Sequence, residues 1–527
     1  MSTEVWYAVG LILSLGFFVF GCQFTLHPLR HFPGPFVAKF TDAYGGYNAI
    51  RRRGHLATYA DHAKYGSVYR QAPNRLVFNS ANALRDIYLN PGMNKARTYK
   101  MTQFNPETNI FGTLEKERHR QKRKVYSKIL SERSLRAFEP TMVQDIHVFL
   151  RQLWKPDADA NAKPVNMSPL CERLTTDIAG QLAFGQPLNT QTEETNRIFP
   201  RAMYSMNGLV NIFMSWPLTY LVWPLLRRLN KKNGSAFGRA VQGIIRARMD
   251  LSMDAIHDFY SIAAGGSVEP GDKGLQRSEL WAEAIFFLPA GGTTLSAALS
   301  AIFFYLSRHQ AVYDRLAAEI RTTFPTGDAI EGGPRLSGCK YLRAVIDETL
   351  RVAPPFTGTF WREPYSSYKE QLVVDGMVIP RDTIVGVNPY CVMHNEAYFP
   401  EPFKYLPERW LGHEEEYVEN SEGEQPKSAM RAAFAPFALG DTGCLGKAMA
   451  YHEISLVVAK TLWYFDFHKA PGEAGRLGEG QLGRTDGRGR PDEYQLYDLA
   501  VADHDGPNLV FEPRGDYWTD LKVDRGA

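Results

Sequence analysis

A single cysteine among glycines is the strongest chemical feature of the chain. Cys444 stands in the segment Phe437-Ala-Leu-Gly440-Asp-Thr-Gly443-Cys444-Leu-Gly446, directly before a helical pattern at Lys447–Phe465. Glycines let a large ligand approach the backbone closely, and the positive end of a helix stabilises a thiolate. Such a thiolate is either a nucleophile, which needs a nearby histidine base, or an axial metal ligand. The segment alone also leaves open a buried structural cysteine.

Three further motifs accompany this cysteine in a fixed order. The motif Ala290-Gly-Gly-Thr293-Thr294 lies in the middle of a long apolar helical pattern at Ser278–Phe303. Glu348-Thr-Leu-Arg351 follows it and places an acid and a base on one helix face, which favours an internal ion pair. Pro407-Glu-Arg409-Trp410 comes next, before Cys444. Each motif is weak alone, whereas the ordered set is specific.

In this order and spacing, the motifs resemble the cytochrome P450 family of haem-thiolate enzymes. The resemblance extends over essentially the whole chain and includes Pro33-Gly34-Pro35, Lys64-Tyr65-Gly66 and Pro354-Pro355. It is closest in style to membrane-anchored filamentous-fungal members of secondary metabolism. The resemblance implies a mainly α fold with a smaller β region, and one catalytic domain over residues 28–527.

The resemblance also implies the reactive centre. Cys444 would be the axial thiolate of the iron of haem b, where it pushes electron density onto the metal and favours cleavage of bound oxygen. Thr294 would stand in the oxygen groove, next to Thr293. The set Glu348, Arg351 and Arg409 matches the family's buried structural triad, so these residues are expected to stabilise the fold rather than to take part in the reaction.

Two groups of residues would hold the cofactor. They are the propionate-binding residues His119, Arg123 and Arg362, and the residues around the thiolate, Phe437, Gly440 and Gly446. An i, i+4 pair faces one side of a helix, so His119 and Arg123 can reach the same propionate. The outward-facing remainder of that basic segment is expected to form a docking surface for an acidic electron donor.

Two positions depart from the family pattern. Thr442 replaces the usual arginine or histidine, so one propionate contact is missing. Thr293 replaces the family's acid, so proton delivery would depend on water, on Thr293 or on the substrate. This second departure leaves room for desaturation, oxidative coupling or ring closure instead of hydroxylation. Pro289 should kink the helix beside this groove. A haem-binding protein without turnover is the alternative from another class.

The family layout gives a set of residues that would line the substrate site: Phe104, Phe111, Phe286, Phe287, Ala290, Phe356, Thr357 and Phe360. Their aromatic and apolar side chains imply a hydrophobic small molecule as substrate. The resemblance implies a monooxygenase that takes O2 and two electrons from NADPH through a flavoprotein reductase.

An uncharged stretch at Val5–Leu26 is long enough to cross a hydrocarbon core of ~30 Å as a helix. Arg30 follows it and no Lys or Arg precedes it. The positive-inside rule then puts the catalytic domain in the cytosol, and a cleaved signal peptide is disfavoured. We expect a single-pass anchor at residues 1–27 in the endoplasmic reticulum membrane. A second apolar stretch, Ala202–Leu226, fits a surface lying on the bilayer or a buried helix pair better than a second span, because two prolines and two asparagines interrupt it.

These residues must be positioned by a large globular body. The chain has 527 residues, 44% of them hydrophobic, and a formal net charge of +3. This composition excludes a mostly disordered protein and argues against a dedicated nucleic-acid binder. Helical periodicity at Ser131–Leu153 and Gln310–Thr323, with short β-like runs elsewhere, predicts many helices and small sheets. The pattern Gly478-Glu-Gly-Gln-Leu-Gly483 lacks a preceding strand, so we interpret it as a surface loop.

Overall fold

The computed structural model describes residues 20–103, 107–154, 163–229, 231–251, 277–412, 417–420 and 423–522, with single positions between 6 and 18 and at 258 and 261. The α-helices, numbered α1 to α16 in chain order, are Ala43–Ile50, Gly54–Tyr65, Ala81–Tyr88, Lys116–Ile129, Glu132–Leu153, Met167–Phe184, Ile198–Ser215, Trp223–Leu229, Lys231–Met249, Arg277–Leu306, Gln310–Thr323, Pro334–Ser337, Lys340–Val352, Pro389–Met393, Lys427–Ala433 and Lys447–Tyr464.

The strands, numbered β1 to β14, are Val68–Ala72, Arg75–Phe78, Met93–Lys95, Val165–Asn166, Arg362–Pro364, Leu372–Val374, Met377–Ile379, Ile384–Val387, Tyr417–Asn420, Gly423–Pro426, Phe465–Lys469, Tyr497–Leu499, Val501–Asp503 and Asn508–Pro513. Five of them form a sheet in the order β1-β2-β8-β5-β3, and β11-β14-β4 form a second one. The fold is therefore mainly helical with small sheets, as predicted.

The long helix α10 forms the centre of the core. It packs along α6 and also contacts α13 and α16. Gly291 and Gly292 permit the close approach to α6, because a Cβ atom on Gly291 would lie 3.3 Å from the Cβ of Ala179 and one on Gly292 would lie 3.4 Å from Thr176 Oγ1. Side chains of Ala297, Ala298 and the apolar residues that follow are buried. The helix continues through Pro289.

Helix α10 is also the one described helix that is long and apolar enough to cross a membrane. Its Ser278–Leu306 segment has 67% of its most apolar window buried inside the protein. Burial of this kind identifies the core helix of a globular domain, which is apolar because other elements surround it.

The apolar stretch 202–226 is not one continuous helix, in agreement with the interpretation that disfavoured a second span. Helix α7 ends at Ser215, a 3₁₀ turn covers Pro217–Val222, and α8 begins at Trp223. Pro217 at the start of the 3₁₀ turn prevents a continuous helix. Leu218 is 63% exposed and Leu221 is 77% exposed, so the turn presents apolar side chains to the surroundings of the protein.

The segment Pro33-Gly34-Pro35 docks on strand β1. The backbone N–H of Arg70 donates to Pro33 O at 2.7 Å, and a Cβ atom on Gly34 would lie 2.3 Å from Arg70 O. Only glycine fits this close approach. Much of the predicted anchor at residues 5–26 lies outside the described residues, so the anchor stays a prediction. The described aromatic side chains of Trp6, Tyr7 and Phe18 are exposed.

Candidate active site

A cavity of about 380 Å³ lies between α10 and the loop that precedes α16. Helices α4 and α7 and the segments after α13 and β12 complete its walls. Cys444 lies on one wall and Thr294 of α10 also lines the cavity. Two of the sequence motifs, the cysteine loop and the Ala290–Thr294 segment, are therefore brought around one space.

The loop before α16 presents the cysteine. The backbone N–H of Cys444 donates to Phe437 O at 2.8 Å, and that of Gly443 donates to Gly440 O at 2.9 Å. Cys444 is open to the cavity although the residue lies deep in the protein. Burial raises the pKa of its thiol, and the Gly446 N–H and the charge of Arg123 oppose that rise. An anionic sulfur thus has local support, which a bound cation would increase.

Gly440 lets the cysteine loop pack closely against helix α3, because glycine has no side chain. Its φ of +69° lies in the left-handed region, and a Cβ atom there would lie 2.0 Å from Tyr88 O. A side chain would therefore displace the loop from helix α3. Gly440 is not among the residues that line the cavity, whereas Phe437 and Gly446 are.

Basic side chains are concentrated at the cysteine end of the cavity: Lys95, His119, Arg123 and Arg362. Arg123 Nη1 donates to Gly443 O at 2.9 Å, and Arg362 Nη2 donates to Thr442 Oγ1 at 2.6 Å. Burial and the surrounding cations lower the pKa of His119 to about 3. Among the described residues that line the cavity, Glu107 alone is acidic. This end of the cavity therefore suits a ligand that carries carboxylates.

Lys95 is a site residue that the sequence reasoning missed. It lies directly opposite Arg362 in the β3–β5 pair, and both side chains are buried. Lys95 Nζ donates to Ile110 O at 2.7 Å and to Phe111 O at 2.9 Å. Like charges directly opposite in a sheet destabilise it, so this pair favours a bound anion. No local motif marks Lys95, because only the strand register places it beside Arg362.

A buried ion pair fixes the basic helix α4 against α10. Lys122 Nζ lies 2.7 Å from Glu283 Oε1, and both side chains have no exposed surface. Glu283 Oε2 also accepts from the backbone N–H of Ile110 at 2.9 Å and from the Tyr126 hydroxyl at 3.0 Å. Because each of these donors comes from an element that flanks the cavity, the pair holds His119 and Arg123 in place.

The predicted charge triad is formed between α13 and the segment that contains Arg409. Glu348 Oε1 accepts from Arg351 Nη2 at 2.8 Å and from Arg409 Nε at 3.1 Å. Its other oxygen accepts from Arg351 Nε and from the Trp410 indole, each at 2.9 Å. Burial alone would raise the pKa of Glu348, but the two arginines and these hydrogen bonds outweigh it and hold the pKa below its ordinary value. The triad ties α13 to the segment before the cysteine loop.

The two threonines of α10 point to different surroundings. Thr294 lines the cavity, and its hydroxyl donates to Ala290 O at 2.7 Å. Thr293 has no exposed surface and is not among the cavity-lining residues. Its oxygen accepts from Asn207 Nδ2 of α7 at 3.3 Å. Thr293 therefore contacts the neighbouring helix, whereas Thr294 faces the cavity.

Comparison with known sequences identifies the family. The model of the family described as Cytochrome P450 matches residues 49–484, more than half of the chain. The chain belongs to the cytochrome P450 family. Membership makes the protein an oxidoreductase of the P450 monooxygenase type and implies haem iron with a thiolate ligand.

Three fungal P450 relatives cover nearly the whole chain. The cytochrome P450 monooxygenase poxM of Penicillium oxalicum is 32% identical over 95% of this chain and 94% of its own length. AKT7 of Alternaria alternata is 31% identical over 92% of this chain and 93% of its own length. The atnE protein of Emericella nidulans is 31% identical over 93% of this chain and 92% of its own length.

The residues present fit the cofactor that the P450 family implies. A sulfur open to the cavity and an end lined by basic side chains, two of them arginines, match a haem that carries propionates. Cys444 would ligate the iron, and Lys95, His119, Arg123 and Arg362 would face the propionates. Thiolate-ligated haem supplies the activation of oxygen. The protein's own residues bind and orient the reactants.

The cavity wall away from the cysteine loop is largely aromatic and apolar. Phe356 and Phe360 stack with ring centroids 4.4 Å apart, and Phe111 stacks on Phe286 at 5.7 Å. The residues of the predicted set that line the cavity are Phe111, Phe286, Phe287, Ala290, Phe356 and Phe360. Phe104 lies outside the described residues.

Thr357 does not line the P450 cavity, and its prediction as a substrate-lining residue is wrong. Its hydroxyl donates to Asp498 Oδ1 at 3.0 Å, and the side chain has no exposed surface. The hydroxyl is needed there because Asp498 is also buried and requires hydrogen-bond donors.

Proposed function

We propose that the protein is a membrane-anchored haem-thiolate monooxygenase that oxidises a hydrophobic small molecule in fungal secondary metabolism. It would use O2 and electrons from NADPH, which a flavoprotein reductase passes to haem b. The observation that carries this proposal is the opening of Cys444 into a cavity whose cysteine end is cationic and whose remaining walls are mainly apolar. The fungal origin of the relatives supports the metabolic setting.

Membrane attachment rests on the N-terminal stretch and on a nearby apolar surface. Leu218, Leu221 and Leu225 are exposed on the segment between α7 and α8 and on α8 itself. Helix α1, which packs on α7, exposes Tyr47 and Ile50. These side chains favour a bilayer-facing surface. We propose the anchor at residues 1–27 and the catalytic domain at residues 28–527 on the cytosolic side of the endoplasmic reticulum membrane.

The reductase would bind the exposed side of α4. Lys116, Arg120, Lys124 and Lys128 are exposed on this helix, whose other side carries His119 and Arg123 toward the cavity. A basic surface next to the haem site suits an acidic electron donor and would accelerate its encounter. Electrons would then arrive close to the propionate side.

Turnover with isotopically labelled O2 tests the proposed function. Microsomes that contain the protein and a fungal NADPH reductase would be given culture extracts of filamentous fungi. We expect NADPH-dependent loss of an apolar metabolite and a product that contains one labelled oxygen atom. Product formation without label favours the second candidate, desaturation, coupling or ring closure, which Thr293 at the family's acid position motivates. A wild-type protein without a thiolate-haem spectrum contradicts both.

We expect Lys95→Gln to weaken haem retention. Loss of a charge-assisted hydrogen bond costs about 1.5–3 kcal/mol, so haem should leave the protein at least about tenfold faster. The measurement is haem transfer to excess apomyoglobin, followed by absorbance. Lys100→Gln is the control, because Lys100 is exposed. Equal haem-loss rates in the two variants would exclude Lys95 from propionate binding.

A further inference from the structure

Asn207 is a polar residue in the part of the cavity wall that helix α7 forms. The other residues of α7 that line the cavity are Met203, Met206 and Val210, so one helix face presents three apolar side chains and a single amide. An amide in an apolar wall loses its hydration and needs a partner. Asn207 has one such partner on its nitrogen, Thr293 Oγ1.

The hydrogen bonds of Thr293 determine which way the Asn207 amide faces. The Thr293 hydroxyl donates to Pro289 O at 2.7 Å, so its single proton is already used. Toward Asn207 it can only accept. Asn207 must therefore donate through Nδ2 at 3.3 Å, and its Oδ1 is directed away from Thr293. The arrangement makes the amide oxygen available as an acceptor.

Thr294 adds a second acceptor on the neighbouring helix. Its hydroxyl proton is used in the same way, by Ala290 O at 2.7 Å, so Thr294 Oγ1 offers lone pairs to the cavity. Two cations that line the cavity, Arg123 and Arg362, are held at the cysteine loop, because they donate to Gly443 O and Thr442 Oγ1. The other described lining residues of α7 carry no charge, so this helix face offers no cation to a substrate carboxylate, whereas a neutral hydroxyl or N–H group would find acceptors.

We propose that Asn207 is a specificity-determining residue whose Oδ1 accepts a hydrogen bond from a neutral hydroxyl or N–H group of an otherwise apolar substrate. Thr293 is then a positioning residue, because it fixes the orientation of the Asn207 amide. The substrate class is a neutral, mainly aromatic or apolar molecule with one donor group. This proposal rests on the proposed function, since it describes the substrate of that site. It also assigns Thr293 a role other than proton delivery.

A matched pair of probes tests the proposal in the full-length holoprotein. Naphthol carries a hydroxyl donor, and methoxynaphthalene has the same rings without a donor. Their dissociation constants would be measured from the spin-state change in the haem absorption spectrum. The wild type should bind naphthol about fivefold more tightly than methoxynaphthalene, the effect of one neutral hydrogen bond.

Three variants separate hydrogen bonding from general packing. Asn207→Leu should bring the ratio of the two dissociation constants to about one, and Thr293→Val should reduce it, because the amide is then free to turn. Met206→Leu is the control and should keep the wild-type ratio. The ratio is the diagnostic quantity, because a change in packing alone would alter the affinity for both probes together.

The outcomes distinguish this proposal from the function on which it rests. The reduced carbon monoxide spectrum of each variant is recorded first, and its absence in the wild type contradicts the proposed function itself. With that spectrum present, a preference for naphthol that survives in Asn207→Leu overturns the role of Asn207. A wild type that prefers the ether, or that gives no spin-state response to naphthol, overturns it as well.

Discussion

Replacement of Cys444 by alanine is expected to abolish the strongly red-shifted Soret band of the reduced carbon monoxide complex. The shift requires thiolate ligation of the iron, and Cys444 is the one cysteine among the described residues that line the cavity. The other cysteines cannot replace it: Cys171, Cys339 and Cys391 are buried elsewhere in the protein. The measurement is the difference spectrum of membranes that contain wild type or variant at equal protein amounts.

The matched control for this experiment is Cys22→Ala. Cys22 lies in the segment that precedes the docked Pro33-Gly34-Pro35 and does not line the cavity. The Cys22→Ala variant also loses one thiol group, but at a position outside the cavity. Its spectrum should therefore equal that of the wild type. A red-shifted band that persists in Cys444→Ala would show that another group ligates the iron and would overturn the assignment of Cys444 as the thiolate ligand. The haem content of both variants should be measured alongside.

The placement of Cys444 beside the cavity and the pairing of Glu348 with Arg351 could be predicted, because these residues lie in short local motifs. The glycines around Cys444 and the following helix mark the thiolate, and the i, i+3 spacing of Glu348 and Arg351 marks an ion pair. Such spacings are converted directly into proximity by the geometry of one helix or one loop. The predicted helix Gln310–Thr323 agrees with the structure at both ends, and the one predicted at Ser131–Leu153 begins one residue later, at Glu132.

The contacts between different elements of the site were not predictable from the sequence. They depend on the register of paired strands and on the rotation of a helix about its axis. Lys95 meets Arg362 only through the pairing of two strands far apart in the chain. The rotation of α10 decides that Thr294 faces the cavity while Thr293 faces Asn207. Thr357 was placed on the substrate wall by family layout, but the buried carboxylate of Asp498 uses its hydroxyl. In each case a partner from another element decides where the side chain points.

The position of Thr293 also bears on the missing acid of the oxygen groove. A carboxylate at this position would be buried, and burial of a charge without a cationic partner is costly. The residue of α7 that contacts position 293 is the neutral Asn207, which can donate but not neutralise. A neutral threonine at position 293 therefore suits its neutral neighbour Asn207, because neither residue buries an unpaired charge. Proton delivery, where the reaction needs it, would then not depend on a carboxylate at position 293.

Replacement of Glu348 by alanine is expected to have the largest effect on stability. The change leaves Arg351 fully buried and Arg409 mostly buried without their carboxylate. Removal of one partner from a buried ion pair costs about 3–5 kcal/mol. Glu348 also accepts from the backbone N–H of Leu406 at 2.9 Å, so the segment before the cysteine loop loses an attachment. The measurements are the haem content of the expressed protein and its urea midpoint, followed by haem absorbance.

Glu408→Gln is the control for this prediction, and pH gives an independent check. Glu408 belongs to the same segment, but its pair with Arg315 is about half exposed on both sides, so its loss should cost less than about 1 kcal/mol. Because the folded pKa of Glu348 lies below its ordinary value, the triad stabilises the fold above the unfolded pKa. That contribution is lost as pH falls through the folded pKa. The wild type should therefore lose stability in acid more steeply than Glu348→Ala, and equal acid dependence would contradict a charged triad.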